Sequence, residues 1–299
     1  TANTTGSSNV AVGGDALDAN TTGTQNVAVG KNALSSNTTG NYNSALGHRT
    51  LFENTTASEN TAIGYFALEK NTTGQQNVAV GALALDANTT ASENVAVGYN
   101  ALSANTTGAG NVAIGRLTLR QNTTGSNSVA VGLNALTSSS SGYNNTAVGK
   151  EALTTLTSAI NCVGIGRDAL RLLTTGNNNT AIGADSLEQS TTGTQNVAVG
   201  FEAGKNTTTG YNNVFIGENA GTSNTTGHHN TACGRLALNL NTTGLYNTGI
   251  GAEALQKNTA NNNTAIGYQA LEENTTGTYN TAVGTFALDT NTTANDNTA

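Results

Sequence analysis

The chain has no proline, methionine or tryptophan, only two cysteines and three histidines, and only 10% of its residues are charged. Each shortage removes a class of protein. Two cysteines in 299 residues do not make a disulfide scaffold. Glycine is too sparse and proline is missing, so a collagen helix is excluded. No apolar run approaches the ~20 residues of a membrane-spanning helix. Eleven basic residues against eighteen acidic ones disfavour nucleic acid, which selects basic patches. Disorder usually comes with high net charge and abundant proline. Here the net charge is only -7 and 36% of residues are hydrophobic. An ordinary globular domain carries roughly 25% charged residues, which this chain does not approach. It does not begin with methionine and shows no signal peptide, so it reads as a processed chain or an internal fragment.

What is present is 53 Thr, 45 Asn and 36 Gly, and a repeat explains the bias. The unit is N-T-T-G-x-x-N-[VT]-A-[VI]-G-x-x-A-L-x-x, 17 residues long. It starts at Asn3 and recurs through Asn122, Ser139, Leu156, Leu173, Ser190, Thr207 and Asn224 to a stub at Asn291. One turn, Asn258 to Asn263, is a residue short. No linker or capping unit interrupts the array, so residues 1–299 read as a single repeat domain. Asn9-Val10-Ala11-Val12-Gly13 is a short β-branched strand ended by glycine. Ala16-Leu17-Asp18-Ala19 reads as a second short strand or one helical turn. N-T-T-G reads as a turn, because Asn and Gly tolerate left-handed backbone angles. Neither part buries a core alone. Stacking does, so the expected fold is all-β, a parallel β-solenoid of about seventeen coils. At ~4.8 Å per coil it would be roughly 80 Å long.

Numbering the first residue of each unit zero turns the sequence into columns. Column eight is alanine except at Gly164, Phe215 and Gly249. Column nine never holds a polar side chain: it includes Val12, Val29, Ile63, Val97, Val131, Ile165, Val199, Ile250 and Val283, with Cys233 once. Adjacent strand residues point to opposite faces, so a strand apolar at both columns is expected to be buried on both. Phe215 places a large ring in the small column, while column fourteen becomes Gly221 in the same unit and Gly204 in the one before. A close-packed core of fixed volume explains that exchange if columns eight and fourteen touch. Column nine then faces another layer or another chain. Column six is an asparagine ladder, Asn9, Asn26, Asn43 and onwards, interrupted at Ser128 and Cys162.

The pattern Asn-Val-Ala-Val-Gly, with Asn111-Val112-Ala113-Ile114-Gly115 and Asn263-Thr264-Ala265-Ile266-Gly267, resembles the N-S-V-A-I-G motif of YadA-like trimeric autotransporter adhesin heads. The longer form through Tyr268-Gln269-Ala270-Leu271 resembles repeats of phage tail fibres and bacterial surface proteins. The resemblance spans the whole chain. It implies a left-handed β-roll, three chains about one axis, and attachment to host surfaces. The 17-residue unit is longer than typical head repeats, and no stalk heptad, neck or membrane anchor is present in this chain.

Catalysis needs unlike residues converging at one place, and here nearly every position recurs from unit to unit. No catalytic residue, cofactor site or metal site is expected. His228 and His229 fall in turn columns four and five, and a threefold assembly would hold six such rings at one level, a potential metal site. Two exposed turn histidines are the simpler reading, and His48 beside Arg49 reads as a surface pair. Cys162 and Cys233 lie about four coils apart, roughly 19 Å at the coil spacing, beyond the reach of a disulfide; both read as buried free thiols. Each Asn-Thr-Thr is formally an N-glycosylation sequon, but also serves as a turn device. The Thr rows invite an ice-binding reading, weakened because Thr4 and Thr5 are adjacent and point opposite ways. Candidate contact residues are the tyrosines: Tyr42, Tyr143, Tyr211, Tyr246 and Tyr279 in turn columns, and Tyr65, Tyr99 and Tyr268 just after the strand glycine. The functional expectation is a non-enzymatic extracellular fibre or adhesin segment on a cell surface or virion. Its partners would be copies of itself, as homotrimer or filament, and a host-surface glycan or protein. The alternatives are a filament subunit with no specific receptor and, more weakly, an ice- or carbohydrate-binding solenoid.

Overall fold

The computed structural model describes residues 3–299. It is all-β, with seventeen three-residue strands and no helix among the described residues. Contacts group the chain into two compact units, Thr1–Asn145 and Thr146–Ala299. The first holds the strands from Val10–Val12 (β1) to Val129–Val131 (β8), and the second those from Thr146–Val148 (β9) to Thr281–Val283 (β17). Within each unit successive strands pair in parallel and in register, so Ala28 lies beside Ala45 and Ala181 beside Ala198. The expected parallel β-solenoid is what forms.

The bonds between coils follow one scheme. The column-seven N–H donates to the column-six carbonyl of the next coil, as from Val27 to Asn43 at 2.8 Å. The column-ten glycine N–H donates to the column-nine carbonyl of the previous coil, as from Gly30 to Val12 at 2.8 Å. That glycine has φ between +129° and +141° in every coil. A Cβ at Gly30 would lie 2.3 Å from the carbonyl oxygen of Gly47. Only glycine combines this backbone angle with that approach.

The interior is narrow and has two halves. One is apolar, lined by alanines of columns eight and thirteen and leucines of column fourteen, such as Ala96, Ala101 and Leu102, all fully buried. The stretch around Leu17 is neither a strand nor a helical turn: its leucines sit at φ between +47° and +53° from Leu17 to Leu288. A left-handed backbone costs such a residue about 1–2 kcal/mol. Complete burial of a leucine side chain contributes about 1.5–3 kcal/mol, so packing outweighs local preference.

The other half is polar, and it departs from the turn reading of N-T-T-G. The column-zero asparagine does not adopt a left-handed angle; it is buried and bonded inside the coil. Asn71 Nδ2 donates to Asn54 Oδ1 at 3.0 Å and to the Gly74 carbonyl at 2.8 Å. Column six forms the second ladder. Asn77 Nδ2 donates to the Ala91 carbonyl at 2.9 Å, and the Asn77 backbone N–H donates to Asn60 Oδ1 at 3.0 Å. A buried amide without such partners would cost several kcal/mol, and stacking supplies the partners rung after rung. Column-one threonines add a third row, as where Thr72 Oγ1 donates to the Thr89 carbonyl at 3.0 Å. Column-two threonines, such as Thr73 and Thr107, are exposed. That is the position missing from the short turn: Asn258 Nδ2 reaches the Ala260 carbonyl at 2.9 Å across two residues instead of three.

The exchange around Phe215 is a packing event. The ring is fully buried. A Cβ added at Gly221 would lie 2.4 Å from its Cδ1 and Cε1, and one added at Gly204 would lie 2.6 Å from its Cδ2. Columns eight and fourteen do touch. At Gly164 a Cβ would meet Leu153 of the preceding coil at 3.1 Å.

Candidate functional site

Since the interior is filled, any function lies on the outside of the coil, and three surfaces are distinct. The first is the outward side of the strands. Column eight points in, so columns seven and nine point out. Column nine is therefore not buried on a second face within the chain: Val12 is 56% exposed, Val283 59%, and Ile63, Ile165 and Ile250 between 36% and 40%. Val29, Val97, Val131 and Val199 are half-buried beside them. Column seven holds Val, Thr or, once, Ser44. No charged residue occurs in either column. Cys233 lies in this row and is half-buried rather than buried, while Cys162 is buried in column six; neither is in a disulfide.

The second surface is the edge formed by columns eleven, twelve, fifteen and sixteen, where most charges collect. In the second unit they pair between coils. Arg167 contacts both Asp168 and Asp185 at 2.8 Å, and Arg171 reaches Glu188 at 2.5 Å. Asp185 is buried beneath Arg167. Pairs like these, whose guanidinium stays partly in water, contribute little each, about 0–1 kcal/mol. In the first unit the same edge gathers rings. His48 stacks on Tyr65 at 5.5 Å, Phe66 lies 4.0 Å from Tyr65, and the Arg49 guanidinium sits 4.2 Å over Phe52 while bonding Glu69 at 2.8 Å. His48 therefore belongs to an aromatic group rather than to a plain solvated pair with Arg49. On this edge Asp86 is half-buried, with Oδ1 lacking a hydrogen-bond partner, and burial pushes its carboxyl up to about 6.

The third surface is the turn. His228 stacks on Tyr211 at 4.4 Å and His229 on Tyr246 at 5.0 Å, so these histidines join a ring stack. Among the described residues no three His, Cys, Asp or Glu side chains converge, and no cavity is present. All eight tyrosines are exposed, from 38% at Tyr211 to 62% at Tyr279, with Tyr42, Tyr65, Tyr99, Tyr143, Tyr246 and Tyr268 between. From Asn20 to Asn274 the column-zero sequons are closed to modification in the folded coil. Asn71 Nδ2 is buried and uses both its hydrogens, so a glycan there and the folded coil exclude one another.

Sequence reasoning found the tyrosines and the column-nine row. It missed the aromatic edge around His48, although His48, Tyr65 and Phe66 share columns eleven and twelve in adjacent units. Compared with known proteins, the chain matches no protein-family model and no curated protein.

Proposed function

We propose that the chain is a non-enzymatic segment of an extracellular fibre or adhesin, borne on a bacterial surface or a virion, whose copies assemble as a homotrimer through columns seven and nine. The observation that carries this reading is the outward strand face: uncharged in every coil, rich in Val and Ile, and without a cover in the single chain. Soluble monomers rarely leave so continuous an apolar surface in water. A second copy offers the same rows at the same coil spacing. The resemblance to trimeric adhesin heads supports the same arrangement. The near-identity of the outward face from coil to coil favours a second reading, a filament subunit that supplies length without a receptor site.

The test is mass by light scattering on the intact chain. Val131→Asp buries an unpaired carboxylate at the contact and should dissociate or unfold the assembly. Thr107→Asp, at an exposed turn position, should leave the mass unchanged. Gln76 is a poorer control, since a new acid there would stand in one column with Glu59 and Glu93. Cys233 gives an independent readout: mild oxidation should produce an interchain disulfide in wild type and none in Cys233→Ser. A monomeric wild type whose mass and fold are unaffected by Val131→Asp sinks the proposal.

A further inference from the structure

We propose that Tyr65, Ala82 and Tyr99 form a binding site for one pyranose ring of a glycan. This names a ligand for the adhesin reading and rests on it. Rings that share a column in consecutive coils stack in this chain: His48 on Tyr65 at 5.5 Å and 15°, Tyr211 on His228 at 4.4 Å and 22°, His229 on Tyr246 at 5.0 Å and 5°. The coil rise of ~4.8 Å is itself a stacking distance. Column eleven reads His48, Tyr65, Ala82, Tyr99. Ala82 therefore omits one ring from an aromatic column. Tyr65 and Tyr99 stand two coils apart, ~9.6 Å, and the height of the ring that Ala82 lacks is open to solvent there rather than enclosed as a cavity.

Both tyrosines are about half exposed, at 53% and 48%, and His48 already covers one side of Tyr65. The chemistry of the slot selects its occupant. It is an open shelf, so the rim of whatever enters stays in water. A flat apolar ring would leave that rim unsatisfied. A pyranose presents C–H groups on both faces and hydroxyls around its edge, which suits two aromatic faces and a wet rim. The next positions in column twelve are neutral, Leu83 beside Ala82 and Asn100 beside Tyr99 with an amide able to donate and accept, while Arg116 follows Tyr99 in column eleven and Asp86 lies in the same coil as Ala82. A nucleobase on a polyanionic strand is opposed by the net charge of -7.

The experiment is saturation-transfer NMR on the intact chain with three probes: cellohexaose, chitohexaose and mannohexaose. At least one should receive saturation at its ring C–H protons. Tyr65→Ala and Tyr99→Ala should each weaken that probe by about fivefold or more. Ala82→Trp, which fills the slot without removing a tyrosine, should abolish the signal while circular dichroism and the melting curve stay intact. Tyr143→Ala, in a turn column, should change nothing. Absence of transfer to all three probes, or transfer that survives both Tyr65→Ala and Ala82→Trp, overturns the proposal. Transfer to N-acetyltyrosinamide but to none of the sugars also overturns it, and assigns the slot to an aromatic side chain of a protein partner. Light scattering on Val131→Asp reads assembly alone, so failure of the slot and failure of the trimer are told apart.

Discussion

The two halves of the coil interior tolerate change by different rules. The apolar half keeps its volume. Phe215 enters only where Gly204 and Gly221 have withdrawn two leucines, and the ring occupies the space they leave. The polar half keeps its hydrogen-bond partners instead, and where a rung changes type the mismatch is visible. Asn122 ends a run of column-zero asparagines because the next rung is Ser139; Asn122 Oδ1 and Ser139 Oγ are both buried without a partner. Further on, Leu156 and Leu173 replace the amides altogether and are fully buried. A continuous ladder of amides and a pair of leucines are both acceptable on this backbone; the junctions carry the penalty. Volume and hydrogen bonding are thus separate constraints, each confined to its own side of the same narrow coil.

The largest expected effect comes from breaking the polar half in mid-ladder. Asn71→Leu removes the donor to Asn54 Oδ1 and the acceptor for Asn88 Nδ2, at about 2–4 kcal/mol by chemical denaturation. Asn122→Leu removes two donors, to Asn105 Oδ1 and to the Gly125 carbonyl, where Asn71→Leu also loses its Gly74 bond and an acceptor in use; the Asn122 acceptor is already unpartnered, so about two thirds of that loss is expected. Equal losses at both sites would mean that the rungs do not act through their amides.

Overpacking the apolar half comes next. Gly221→Leu should destabilise by about 1–3 kcal/mol. The backbone is not the obstacle, since φ at Gly221 is 59° and leucines elsewhere in the column sit near 50°. Adding Phe215→Ala should recover much of the loss, whereas strict additivity in the double mutant would show that the two positions are uncoupled.

A smaller effect belongs to Asp86. Its folded-state carboxyl is raised from 3.8 to about 6 by burial, so between those values the folded chain holds a proton that the unfolded chain releases. Stability from this residue therefore falls as pH rises from about 4 to about 6, and stays lower above that. Asp86→Asn should raise the melting temperature at pH 7 and leave it nearly unchanged at pH 3.5. The smallest effect is at the exposed turn: Thr107→Ala should alter the melting temperature by less than the error of the measurement, because the short turn at Asn258 dispenses with that position altogether.

Much of this was legible in the sequence. The repeat fixed the strand, the stacking and the register, and the single anomaly at Phe215 located the contact between columns eight and fourteen. The candidate tyrosines were readable as exposed because none occupies a core column. The column-zero amides were not readable as interior. An asparagine is at home in water or in a turn, and nothing local shows that its partners lie one coil away, as those of Asn71 do at Asn54 and Asn88. The ring stack of His48 and Tyr65 escaped notice for the same reason, since it exists only between coils.

The sequence by itself determined that this chain repeats, that its strand is Val-Ala-Val or Thr-Ala-Ile, and that a glycine must close each strand. The exchange at Phe215 also placed column eight inside; only the tertiary structure decided that column nine is left without a cover in the single chain. Alanine turns inward because the coil is too narrow for a β-branched residue opposite leucine, and that choice sends column nine outward. It also decided that leucines such as Leu102 adopt a left-handed backbone, φ 53°, which no local preference would select. There the burial of a side chain against its neighbours outweighs the conformational cost at a single residue.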